Sequence, residues 1–164
     1  MTESKAGPNP LFLREEELRQ AMELLFFAQR DMARVSDKIL QRHGLGRAHH
    51  RVIYFVGRYP GITVSELLRL LQVTKQSLSR VLSHLVEDGY VAQTPGERDR
   101  RQRRLRLTEA GEALERELTA QQRRLVAAAY REAGEEAVEG FRRVMLGMIE
   151  ETDRDQFARG RGRS

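Results

Sequence analysis

The sequence predicts a mostly α-helical fold with one small β-hairpin, in which a compact middle of short helices is framed by longer helices at both ends. Three observations predict it. Apolar residues recur at steps of three and four, as at Leu18, Ala21, Leu25, Ala28, Met32, Val35 and Ile39. Two short helical patterns follow each other between Thr63 and Gly89 with a break of a few residues. Strand-like apolar runs occur at Tyr90 to Gln93 and at Leu105 to Leu107, on either side of an arginine-rich loop.

In chain order, residues 1–13 carry Gly7, Pro8 and Pro10 among polar residues, a composition expected to leave a disordered arm. Residues 14–46 are expected to form one long helix from Arg14 to His43, ended by Gly44 and Gly46. Met22, Leu24, Phe26 and Phe27 widen its apolar surface beyond one seam, so it is expected to meet its own domain on one side and a second chain on the other. Ala48 to Tyr59 reads as a second helix stopped by Pro60-Gly61. After a short extended link at Ile62, Thr63 and Glu66 have the spacing of a capping box, and a two-turn helix follows to Gln72-Val73.

The next helix is the centre of the chain. Thr74 caps it, Leu78, Val81, Leu82, Leu85 and Val86 form its apolar stripe, and Gly89 supplies the left-handed stop. The opposite face carries Lys75, Gln76, Ser79, Arg80 and Ser83, side chains suited to base edges and phosphates. A short helix, a tight turn and a capped helix make helix-turn-helix grammar. The hairpin follows, and its loop from Thr94 to Arg104 holds Arg98, Arg100, Arg101, Arg103 and Arg104 against Glu97 and Asp99, a charge pattern that favours phosphates or a narrow groove. Residues 47–108 thus form one lobe.

Residues 109–152 are expected to hold two helices. Thr108 caps the first, which runs to about Arg131 with Leu114, Leu118 and Leu125 on its apolar side, and Ala133-Gly134 breaks it. The second runs from Glu135 to about Glu151, with Val138, Phe141, Met145, Met148 and Ile149 at helical spacing. Covering the seams at both ends with a second copy predicts a homodimer through Leu18, Leu25, Met32, Phe141, Met145 and Met148. Residues 153–164 are expected to be a flexible basic tail.

The 164 residues suit one core, and the net charge of +5 with a pI near 10.1 favours an anionic partner. The basic charge is concentrated. From Arg47 to Thr108 twelve Lys and Arg residues stand against five Asp and Glu residues, and the remainder of the chain is net acidic. With no cysteine, disulfides, thiolate zinc sites and thiol redox sensing are excluded. The sequence shows neither a signal-peptide core nor an apolar run of membrane-spanning length, so a cytoplasmic protein is expected. No nucleophile and base at recognisable spacing, phosphate-binding glycine loop or cofactor motif points to an enzyme. His43, His49, His50 and His84 do not form a metal pattern, since adjacent helical histidines point about 100° apart, and no metal or cofactor is expected.

With VSELLRLL after Pro60-Gly61, VTKQSLSRVLSHLVEDGYV, and ERDRRQRRLRLTEAG, the chain resembles the MarR family of winged helix-turn-helix transcription regulators over about Arg14 to Glu151. The resemblance implies a winged helix-turn-helix core with N- and C-terminal dimerisation helices. It also implies a homodimer bound to near-palindromic double-stranded DNA, often released by a small-molecule effector. Carried over by position, the helix capped by Thr74 would enter the major groove, with Lys75, Gln76 and Ser77 at its start and Ser79 and Arg80 facing DNA. Arg101 would reach the minor groove, Asp99 would hold the wing in shape, and Arg98, Arg100, Arg103 and Arg104 would contact phosphates. A winged-helix module for protein or RNA contact, without sequence-specific DNA binding, is the alternative that fold alone leaves open.

Overall fold

The computed structural model describes residues 10–159, so the expectations for the arm before residue 10 and the tail beyond 159 lie outside the described residues. The chain divides into two compact units, Met1–Gln122 and Arg123–Ser164. In the first, a 3₁₀ turn at Leu11–Leu13 precedes α1 (Glu15–Arg34), α2 (Asp37–Arg42) and α3 (Arg47–Arg58). Then come β1 (Ile62–Thr63), α4 (Val64–Leu71), α5 (Lys75–Glu87), β2 (Val91–Pro95) and β3 (Arg103–Leu107). Helix α6 (Glu109–Ala133) starts in this unit and continues into the second, which also holds α7 (Glu135–Met148) and α8 (Glu151–Arg159). The turn at Leu11–Leu13 orders the end of the segment expected to be a loose arm.

The single long helix expected from Arg14 to His43 is two helices. The chain turns at Val35 and Ser36; Ser36 is fully buried and its hydroxyl donates to the Leu118 carbonyl at 3.2 Å. The turn redirects the chain so that α2 sinks Ile39 and Leu40 into the core, whereas α1 has no buried residue. Apolar spacing runs unbroken through the turn because α2 brings its own apolar pair, which is why periodicity alone reads one helix.

The lobe core is built from one face of each short helix. Ile53 and Val56 of α3, Leu67 of α4, Leu78, Leu82 and Leu85 of α5, Leu105 of β3 and Leu114 and Leu118 of α6 are buried together. Thr63 accepts the Glu66 amide and Glu66 accepts the Thr63 amide and hydroxyl, completing the reciprocal cap that starts α4. The turn to α5 passes through Gln72 in the left-handed region, φ 51°. Gly89, at φ 77°, ends α5 where any side chain would be strained.

The expected two-stranded hairpin is a three-stranded antiparallel sheet, ordered β1-β3-β2. The link at Ile62 pairs with Leu105, and both side chains enter the core. Strand β3 begins at Arg103, so Arg103 and Arg104 are ladder residues opposite Pro95 and Thr94, and the wing loop shortens to residues 96–102. At the sheet base the Thr108 hydroxyl accepts the Gly111 amide and donates to the Gly89 carbonyl, while the Thr108 amide donates to the Tyr90 carbonyl.

In the second unit α7 ends at Met148, short of the expected Glu151, and residues 151–159 are helical, contrary to the expected flexible tail. The Arg154 guanidinium donates to the carbonyls of Ile149 and Gly147 at 3.0 and 3.3 Å, satisfying acceptors that the end of α7 leaves open. The two non-helical residues between α7 and α8, Ile149 and Glu150, thus become a capped joint.

Candidate nucleic-acid interface

Helix α5 owes its place to Leu78, Leu82 and Leu85, whose burial leaves the other face of the helix to solvent. Thr74 sits at the N-cap; its hydroxyl accepts the Ser77 amide at 3.1 Å and donates to the Ser77 hydroxyl at 2.8 Å. The Ser77 proton remains available to an acceptor outside the chain. Thr74, Lys75, Gln76, Ser77, Ser79 and Arg80 are all exposed, as is Ser83. The free amides of the first turn add a positive helix end beside Lys75, suited to an anion.

The wing is shaped by its backbone and one acid. Asp99 Oδ1 accepts the Arg101 amide at 2.9 Å, the Gln102 amide donates to the Asp99 carbonyl at 3.0 Å, and the Gly96 amide closes the loop onto the Gln102 carbonyl at 2.7 Å. A Cβ on Gly96 would stand 2.6 Å from the Asp99 carbonyl oxygen, so only glycine permits this tight base. Arg98, Arg100 and Arg101 are exposed at the tip. Arg103 is exposed at the start of β3. Arg104 reaches across the sheet instead and donates to the Gly61 carbonyl at 3.2 Å. Arg106, which was not among the sequence candidates, shares the strand face of Arg104, and its guanidinium also stands near Gly61. Its two-residue offset from Arg104 was the readable signal once β3 is extended to Arg103.

The six residues expected at a dimer interface lie on two helices. Leu18 and Met32 of α1 are exposed and Leu25 is half-buried; Phe141 and Met148 of α7 are exposed and Met145 is half-buried. Met22, Leu24, Phe26 and Phe27 extend the uncovered apolar surface of α1. No helix among the described residues is long and apolar enough to cross a membrane, and no group of three or more metal-ligating side chains occurs among them.

The MarR family model matches residues 43–102, from the end of α2 through the wing tip. Across nearly the full length the chain is similar to the HTH-type transcriptional regulator PetP of Rhodobacter capsulatus, 49% identical over 156 residues, covering 95% of this chain and 94% of that protein. The chain belongs to the MarR family. Its fold agrees: a crystal structure of MarR superposes with a TM-score of 0.66 at 22% identity, covering 96% of this chain and 99% of that one. A mutant MarR from E. coli complexed with operator DNA gives 0.64 at 21%, covering 86% and 99%. This MarR-family chain is therefore a winged helix-turn-helix protein and a transcriptional regulator, as the resemblance implied.

One side-chain set in this MarR-family lobe escaped sequence reasoning. His84 is engaged at both ring nitrogens: Nδ1 lies 2.9 Å from His49 Nε2 and Nε2 lies 3.1 Å from Asp88 Oδ2. His49 and His84 are 35 residues apart, and no local pattern pairs them. His43 meets the Tyr90 hydroxyl at 2.9 Å, and His50 is buried, which lowers its pKa below 6.5 against the pull of Glu115 and Asp37.

Proposed function

We propose that the chain is a homodimeric, sequence-specific regulator that binds pseudo-palindromic double-stranded DNA, with α5 as the recognition helix in the major groove and the wing beside it. The observation that carries this reading is the pairing, in one lobe, of a capped helix with an uncovered polar face and a rigidly closed arginine loop. Lys75, Gln76, Ser79 and Arg80 read base edges, with Thr74 and Ser77 fixing the first turn, and Arg101 enters the minor groove. Arg98, Arg100 and Arg103 position the lobe on phosphates, and Arg104 contributes its charge from the sheet. The solved relative in complex with operator DNA has the same fold, which supports the docking mode.

The second copy is supported by apolar surface with no cover. Helix α1 spans 20 residues with none buried, and α7 likewise has none, so Leu18, Leu25, Met32, Phe141, Met145 and Met148 are the contacts expected across the dimer. Two lobes then read half-sites about 34 Å apart, one helical turn of DNA. Repression by occupancy of the operator, release by a small-molecule effector and a cytoplasmic, nucleoid-associated location follow from the family resemblance.

The test is selection from random-sequence duplex across a salt series, with sedimentation to fix the oligomeric state. An enriched palindrome bound by a dimer with affinity falling steeply in salt is expected. Arg101→Ala is expected to cost about tenfold or more in affinity, an Arg contact being worth about 1–3 kcal/mol. Duplex binding without sequence preference, or a monomer at binding concentrations, overturns the reading in favour of a protein or RNA contact module.

A further inference from the structure

The interaction of His49 with His84 ties the first turn of α3 to the last turn of α5, and its hydrogen bonds have a determined direction. The Gly46 amide can only donate, and it lies 3.1 Å from His49 Nδ1. A neutral imidazole has one donor and one acceptor, so the His49 proton is on Nε2. That N–H points at His84 Nδ1, 2.9 Å away, which must accept; the His84 proton is then on Nε2, facing the Asp88 carboxylate at 3.1 Å. These tautomers are assigned from the network. From backbone amide to carboxylate every donor meets an acceptor, with the rings edge to face at 4.8 Å.

A further proton breaks the order wherever it lands. On His49 Nδ1 it would oppose the Gly46 amide, and on His84 Nδ1 it would set two N–H groups against each other. The charged groups facing the pair come from α5 and the residue that caps its end: Asp88, at the C-cap, is bonded to His84, while Glu87 and Arg80 line the same cleft of about 550 Å³ with Val81 and Ser83. From the α3 side the facing group is the Gly46 amide. Burial and the neighbouring His84 lower the His49 pKa below 6.5, with Asp88 opposing, so the neutral order is the favoured one. Arg80, among the base-reading candidates, lies one helical turn before His84, so the tether acts next to the face that meets DNA.

We propose that His49, His84 and Asp88 form a proton-ordered clamp that positions the recognition helix while both imidazoles are neutral and releases it on protonation, so that discrimination between specific and random duplex falls in acid. The proposal rests on the regulator reading above. The three residues are positioning residues, and their action is separable from charge: a protonated histidine near DNA strengthens binding to any duplex, whereas loss of the clamp lowers the ratio of specific to random affinity.

The experiment uses the full chain in EDTA-containing buffer at constant ionic strength, with the duplex enriched from the random pool as the specific probe. The ratio of specific to random affinity is expected to fall about fivefold or more between about pH 8 and about pH 5.5, the scale of one lost hydrogen bond. The double variant His49→Gln with His84→Gln, shown by circular dichroism to be folded at both pH values, keeps amide donors that do not titrate and should hold the ratio within about twofold. In the DNA-free protein, imidazole nitrogen shifts should place both protons on Nε2, and His84→Gln should move the titration of His49. A double variant that keeps the wild-type fall, or rings that titrate independently, overturns the clamp. If no sequence is enriched at either pH, the regulator reading fails, and the proposal with it, even where the titrations are coupled.

Discussion

Gly111→Ala is the substitution whose consequence the structure sets most sharply. A Cβ there would lie 2.0 Å from the Tyr90 carbonyl oxygen, 3.0 Å from the Tyr90 carbonyl carbon and 3.3 Å from the Leu107 Cβ. Carbon and oxygen approach no nearer than about 3.3 Å without penalty, so the first turn of α6 must retreat by roughly 1.3 Å. The retreat strains the Thr108 bonds to the Gly89 and Tyr90 carbonyls and loosens Leu114 in the core. Two weakened hydrogen bonds at about 1 kcal/mol each, with overpacking of 1–3 kcal/mol, place the cost at about 3 kcal/mol. For a chain of this length that lowers the melting temperature by about 6–12 °C. The matched comparison is Gly89→Ala, where the added Cβ would meet nothing within 4 Å and the penalty is the left-handed backbone alone, about 1 kcal/mol. Thermal unfolding followed by circular dichroism measures both. Gly111→Ala melting no lower than Gly89→Ala would refute the close-approach reasoning.

Other expectations follow from single contacts. Ser36→Ala removes the buried hydroxyl that donates to the Leu118 carbonyl and should cost about 1 kcal/mol in urea unfolding without altering the slope. Glu66 is held below its ordinary pKa of 4.5 by the Thr63 amide and hydroxyl, so its capping contribution is present above pH 4.5 and is lost as pH falls through the lowered value. Glu66→Gln should keep most of the cap and remove that part of the acid sensitivity, read as melting temperature against pH. Burial lowers the His50 pKa, so stability from its neutral form is present above pH 6.5 and declines as pH falls from there through the lowered value; His50→Gln should flatten the melting profile across that window. Asp99→Ala should weaken specific duplex binding about threefold to tenfold in a titration, since it frees the Arg101 amide from its acceptor.

What could be read from the sequence was local, and what was missed is mostly long-range. The Thr63-Glu66 box, the Thr74 cap and the Gly89 stop each depend on residues within one turn, and each forms as its spacing requires. The break at Ser36 depends on Leu118, 82 residues away, and a serine inside an unbroken apolar rhythm announces nothing. Strand β1 is two residues long and exists because Ile62 meets Leu105, so no periodicity can reveal it. Helix α8 was hidden for a different reason: Arg154 caps the preceding helix, while charge-rich composition reads as a tail. Among the site candidates, exposure on α5 was legible from its apolar stripe, but the diversion of Arg104 to Gly61 depended on strand register.

The Asp99→Ala expectation separates two accounts of the wing by the sign of the effect. If the wing acted only as a cloud of positive charge, removing a carboxylate from among Arg98, Arg100 and Arg101 would strengthen duplex binding, most visibly at low salt. If the wing acts through placement of Arg101, loss of the acceptor at 2.9 Å outweighs the gain in charge, and binding weakens. Asp99→Asn decides between a lost acceptor and a lost charge, because its side-chain oxygen still accepts the Arg101 amide while the charge is gone. Placement predicts that Asn retains or improves binding where Ala loses it; a charge cloud predicts that both improve alike. The closure of the same loop by the Gly96 and Gln102 backbone bonds favours placement, since a loop needed only for its charge has no use for a base that glycine alone permits.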